Sequence, residues 1–77
     1  MPEVARFDNC KVCMYADDHY PPHFHIRGPG WNVSVDIATF EIIVGSGNDG
    51  DIAQALDWAR QNQAQLYTVW GQLNERD

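Results

Sequence analysis

The apolar pattern of this 77-residue chain changes period once, at the segment GSGNDGD, Gly45 to Asp51. Before it, apolar and polar residues alternate in short runs; after it, apolar residues return every three or four positions. Period two marks a half-buried strand, and a period near 3.6 marks an amphipathic helix. Strands first and helices second predict α+β rather than repeated βαβ units. The expected architecture is an antiparallel β-meander of about five short strands, with two C-terminal helices packed on one face. A chain this short buries only about 60% of its unfolded surface, which limits it to a single domain, 1–77. Its strand-rich half is expected at 3–45 and its helical half at 51–75.

In the first half, VARF (Val4 to Phe7) and KVCMY (Lys11 to Tyr15) read as strands joined by a turn at Asp8 and Asn9. HFHIR (His23 to Arg27) and WNVSVDI (Trp31 to Ile37) form a second pair, and FEIIV (Phe40 to Val44) closes the meander after a turn at Ala38 and Thr39. Asp51 is placed to cap a helix in which Ile52, Leu56 and Ala59 share a face, and Leu66, Trp70 and Leu73 repeat that spacing. The NQAQ stretch from Asn62 to Gln65 has the form of a capping box, so two helices with a break near Asn62 are expected, with one continuous helix as the alternative because the apolar spacing runs through Gln63 in phase.

Alternation assigns Phe24, Ile26, Val33, Val35 and Ile37 to the buried sheet face. It turns His23, His25, Arg27, Asn32, Ser34 and Asp36 outward. Residues directly opposite in an antiparallel pair share a face. The register that keeps polar against polar sets Arg27 opposite Asn32, His25 opposite Ser34 and His23 opposite Asp36, joined by the loop Gly28-Pro29-Gly30-Trp31.

All three histidines fall in DDHYPPHFHI, Asp17 to Ile26. His23 and His25 are two apart on one strand face, and His19, beside Asp17 and Asp18, precedes the corner at Pro21 and Pro22. The structural reading is a polar sheet face with a proline-set turn. Against it stand His19, His23, His25 and Asp36 as catalytic candidates, and His19, His23, His25 and Asp18 as ligands of a divalent metal such as zinc. Three nitrogens and an oxygen suit zinc, which would make the site hydrolytic in principle. Asp36 beside His23 would fix a tautomer or favour an imidazolium.

Eleven Asp and Glu against five Lys and Arg give a net charge of -6, a field that repels phosphate backbones and anionic membranes. Direct nucleic-acid binding by the chain alone is therefore disfavoured, and a basic protein partner suits it better. Arg6, Lys11 and Arg27 can still meet on folding. No apolar run reaches the ~20 residues of a membrane span, and MPEVARF lacks the basic and apolar regions of a signal peptide, so a cytoplasmic location is expected. Cys10 and Cys13 are then expected as thiols. Their C-x-x-C spacing puts the two on opposite sides of a strand, which argues against a redox pair or a zinc knuckle. The GSGNDG glycines lack the Lys and Ser/Thr of a phosphate loop. Trp58 and Trp70 read as helix residues packing on the sheet or on a partner.

Together, MPEVARF, VCMYADDHYPPHFHIR, VDI, and LDW with NQAQLYTVW near the C-terminus resemble the small bacterial domain of unknown function numbered 4160. The most specific part of this resemblance is Asp18, His19, Pro21, Pro22, His23, Phe24 and His25. It implies a stand-alone α+β domain of the bacterial cytosol, similar in size and setting to components of two-gene toxin-antitoxin-like modules, and no catalytic residue set. The chain departs from the pattern at Thr39-Phe40-Glu41, where the family carries T-G-E, and at Gly45 to Gly50, where it carries G-x-L-P. Two functions follow as expectations. One is a protein-interaction module whose partner is a second copy or a small companion protein; the other is a metal-dependent hydrolase or nuclease built on His19, His23 and His25.

Overall fold

The computed structural model describes residues 3–16 and 20–74. Five strands, β1 (Glu3–Arg6), β2 (Lys11–Cys13), β3 (His23–Gly28), β4 (Trp31–Asp36) and β5 (Ile42–Ser46), are followed by helices α1 (Asp49–Gln61) and α2 (Gln63–Asn74). The strands form one antiparallel sheet in sequence order, the expected meander. The β3–β4 register is the expected one, with His23 opposite Asp36, His25 opposite Ser34 and Arg27 opposite Asn32. No helix among the described residues is long and apolar enough to cross a membrane.

Val12, Phe24, Ile26, Val33 and Val35 bury one sheet face against Ile52, Ala55 and Ala59 of α1 and Leu66 and Trp70 of α2. Each large side chain removed from water in this way contributes about 1.5–3 kcal/mol. On α1, Ala55 is fully buried where the periodicity favoured Leu56, which is only half-buried. Trp58 meets Phe7 edge to face at 6.3 Å, which ties α1 to the β1–β2 turn.

Both helix boundaries differ from expectation in their chemistry. Asn48, not Asp51, caps α1: its side chain accepts the Asp51 N–H at 2.9 Å, and Asp49 and Asp51 lie in the first turn. That start gains twice, from a satisfied amide and from carboxylates near the positive end of the helix dipole. The break at Asn62 is where it was expected, but the Asn62 amide donates back to the Trp58 carbonyl at 2.8 Å. The Asn62 side chain closes α1, while its backbone carbonyl accepts the Leu66 N–H at 3.0 Å and opens α2. Gln63 then donates to the Ile37 carbonyl at 2.8 Å and pins the start of α2 to the end of β4.

The last strand begins at Ile42, two residues later than the apolar run suggested, because Phe40 is not extended. Its φ is +62°, in the left-handed region. A non-glycine residue there costs about 1–2 kcal/mol. The half-buried Phe40 ring packs on the core, and the Arg60 guanidinium lies 5.8 Å from its centroid, which offsets part of that cost. The turn is also held by the Asp36 carboxylate, which accepts the Ala38 and Thr39 N–H groups at 2.7 and 3.2 Å.

Phe40→Gly and Phe40→Ala lose the same ring, but only glycine relaxes the backbone. Urea unfolding should find Phe40→Gly more stable than Phe40→Ala by about 1 kcal/mol, the reverse of the usual order. Alanine equal to or better than glycine would show that the left-handed turn is not what the position demands.

Candidate functional site

By register the β3 histidines share the sheet face opposite to that of Phe24 and Ile26, as alternation required, but that face is not open. Cys13, His25, Ser34 and Val44 stand in one row across β2 to β5, and Cys13 and Ser34 are buried within it. The Ser34 hydroxyl and His25 Nδ1 are 3.3 Å apart. Tyr15 closes on His25 edge to face at 4.9 Å, and its hydroxyl accepts from Arg27 Nη1 at 2.9 Å.

His23 reaches the margin of the core. Its ring lies 5.1 Å from that of His25 and 5.3 Å from that of Trp70, and Tyr20 lies 5.9 Å from Trp70 on the same strip. The strip of rings therefore runs Tyr20, Trp70, His23, His25, Tyr15. His23 Nδ1 is 2.8 Å from the Pro21 carbonyl oxygen. A carbonyl only accepts, so Nδ1 carries the hydrogen in that contact. The chain corner thus orients this imidazole. The Trp70 indole N–H, buried beside it, has no hydrogen-bond partner among the described residues.

The register brings His23 and Asp36 together as expected, but the carboxylate is engaged by the β4–β5 turn. The Pro21 carbonyl does the orienting that the sequence assigned to Asp36. Asp17, Asp18 and His19 lie outside the described residues, so the proposed ligand set is represented here by His23 and His25. Among the described residues, no group of three or more His, Cys, Asp or Glu side chains is placed to hold a metal ion.

The scattered cations do converge. Arg6, Lys11 and Arg27 occupy one row across β1, β2 and β3 and line an open groove of about 460 Å³ with Phe7 to Cys10, Gly28 and Pro29. Glu3 holds Arg6 through contacts of 2.7 and 3.0 Å, an interaction that lowers the Glu3 pKa and raises that of Arg6. The hydrogen bond to Tyr15 likewise raises the Arg27 pKa. The two cysteines fall on opposite sides, as their spacing required. Cys13 stands opposite His25, whereas Cys10 sits in the core with its thiol 3.7 Å from the Asp51 carbonyl. Burial, helped by the Asp51 charge, pushes the Cys10 thiol above its ordinary range.

One surface escaped the sequence reading. β5 is an edge strand exposed along its whole length, and Ile42, Ile43 and Val44 are 45%, 48% and 64% exposed. Val44 lies opposite Ser34 and Ile42 opposite Val35, with a register shift between them. Ile43 and Val44 together border a shallow pocket of about 150 Å³ with Tyr20, Pro21, His23 and Ser34. The available signal was the unbroken Ile42-Ile43-Val44 run, since a strand with one buried face cannot bury three consecutive side chains.

Two measurements check these assignments. Asp36→Asn retains an acceptor for the turn and should be nearly neutral, whereas Asp36→Ala should cost about 1 kcal/mol. In both, imidazole 15N shifts should still report His23 with its hydrogen on Nδ1; a switch to Nε2–H would return the orienting role to Asp36. For Cys10, the folded state keeps the thiol proton to higher pH than the unfolded chain does. Its contribution is therefore intact below its ordinary value of 9.0 and is lost as pH rises above it. Unfolding free energy should fall more steeply above that pH in the parent than in Cys10→Ala; parallel curves would contradict the buried-thiol assignment.

No curated protein and no solved structure gives a significant match to the chain. The family model described as Domain of unknown function (DUF4160) matches residues 10–71, from Cys10 through α1 and into α2 as far as Gly71. With the histidine block, strands β2 to β5 and most of the helical half inside that match, the chain belongs to the DUF4160 family.

Proposed function

We propose that the chain is a small protein-interaction module that docks a companion protein along β5. The observation that carries this reading is the exposure of Ile42, Ile43 and Val44 on an uncharged edge strand. An outermost strand offers unpaired backbone N–H and C=O groups to another chain. Backbone pairing supplies affinity in strand addition, and pockets for alternate side chains supply specificity. The shallow pocket beside Ile43 and Val44 suits the second role. Small size, a net charge of -6 and the family resemblance support the further reading of a two-gene, toxin-antitoxin-like setting in the bacterial cytoplasm, with the companion encoded beside it.

A metal-dependent hydrolase using His19, His23 and His25 is the second reading. It is favoured by the Pro21 carbonyl on His23 Nδ1, because ligating and catalytic imidazoles are commonly oriented through their other nitrogen.

Untagged protein from the native host, sized by light scattering, should elute as a complex with a second polypeptide. Val44→Lys should release that polypeptide and leave thermal unfolding nearly unchanged, since the side chain is 64% exposed. Recovery as a bare monomer, or a complex indifferent to Val44→Lys, would count against docking at β5. Stoichiometric zinc in the same preparation, lost in His23→Ala, would move the function to the histidines.

A further inference from the structure

Three of the four cations among the described residues stand directly opposite one another, Arg6 on β1, Lys11 on β2 and Arg27 on β3. Like charges at directly opposite positions work against strand pairing. The core does not require them, since the buried neighbours of Lys11 and Arg27 along these strands are Val12 and Ile26. A chain with eleven acidic and five basic residues nevertheless gathers most of its positive charge here.

The row borders the groove of about 460 Å³ between the β1–β2 turn and the loop at Gly28 and Pro29. That volume is in the range of small-molecule sites. The outer cations are partly engaged: Arg6 gives Nε and Nη2 to Glu3, and Arg27 gives Nη1 to the Tyr15 hydroxyl. A guanidinium has five N–H donors, so each keeps others. Lys11, on the strand between them, is half-buried and makes no hydrogen bond and no ion pair among the described residues. Its ammonium donors are uncommitted.

The charge of -6 belongs to the whole chain, but exposed charges beyond about 8 Å are largely screened at physiological salt. The local balance therefore decides. Glu3 is paired with Arg6, and Asp8 is exposed on the groove. Asp51 meets the Cys10 thiol through its carbonyl on the core side, the side that alternation turns Lys11 away from. Lys11 and Arg27 then outweigh Asp8.

The number of donors selects the anion. A carboxylate has two oxygens and one charge, and a single guanidinium can hold both oxygens. A phosphate monoester has three terminal oxygens and nearly two charges, which suits cations converging from three adjacent strands. A nucleic-acid strand would carry further phosphates out of the groove into the field of an acidic chain.

We propose that this groove binds the phosphate group of a small phosphate monoester, with Lys11 at its centre, Arg6 and Arg27 on either side, and the organic part of the ligand against Phe7 and Pro29. The site is separate from β5, and strand docking there neither needs it nor excludes it.

The test titrates the full chain, 15N-labelled and at low ionic strength, with phenyl phosphate, inorganic phosphate, benzoate and a short oligothymidylate. Phenyl phosphate should shift the amides of Phe7 to Lys11 and of Arg27 and Gly28, leave those of Ile42 to Ser46 unmoved, and bind tightest of the four. Lys11→Gln should weaken it about fivefold, the weight of one exposed ion pair, and Asp8→Asn should strengthen it by a similar factor. Both variants should unfold at nearly the parent's temperature, and Arg60→Gln, remote over Phe40, should leave binding unchanged. Benzoate binding as tightly as phenyl phosphate would overturn the phosphate assignment, and inorganic phosphate doing so would overturn the ester. Tighter binding of the oligothymidylate would replace the small ligand with nucleic acid. Shifts outside the groove, or binding indifferent to both Lys11→Gln and Asp8→Asn, would overturn the site itself.

Discussion

The pairing of β3 with β4 is the constraint on which the rest depends. Phe24 and Ile26 meet Val35 and Val33 across that ladder, and all four are buried. A slip of one residue would turn this apolar set outward and carry the polar set into the core. The cost would be several buried side chains at about 1.5–3 kcal/mol each, a large share of a small domain's total stability. One hydrophobic requirement therefore also dictates where His23, His25 and Ser34 stand, although none of them belongs to the core cluster.

Around that ladder the irregular positions are settled by competition. Phe40 adopts a backbone conformation that its side chain disfavours, while its ring packs on the core and under Arg60. Asp36 stands next to His23 in register, yet its carboxylate satisfies two turn amides. The exposed turn presents two main-chain donors directly to that carboxylate, and local side-chain to backbone contacts satisfy them. The imidazole is oriented instead by a main-chain carbonyl of its own corner.

The sheet is polarised along its strand order. Its first three strands carry a row of cations partly tied down by Glu3 and Tyr15, and its last strand carries exposed apolar residues. The ring strip through His23 and His25 lies between them and borders the β5 pocket through Tyr20 and His23. The histidine block and the open edge are thus neighbours on one surface. A protein seated on β5 would lie against His23.

Much of this was legible in the residues alone. Element order, the outward placement of His23 and His25, their partners Asp36 and Ser34, the opposite sides taken by Cys10 and Cys13, and the break at Asn62 all follow from periodicity and spacing, which neighbouring residues encode directly. What required the tertiary structure depends on distant groups. The start of β5 waited on a left-handed Phe40, the cap of α1 on which of Asn48 and Asp51 met the free amides, and the use of Asp36 on a turn two residues away. The meeting of Arg6, Lys11 and Arg27 needed three strands in register. The Ile42-Ile43-Val44 run signalled that part of this strand must be exposed, but that all three side chains are exposed depends on what the fold leaves uncovered around β5.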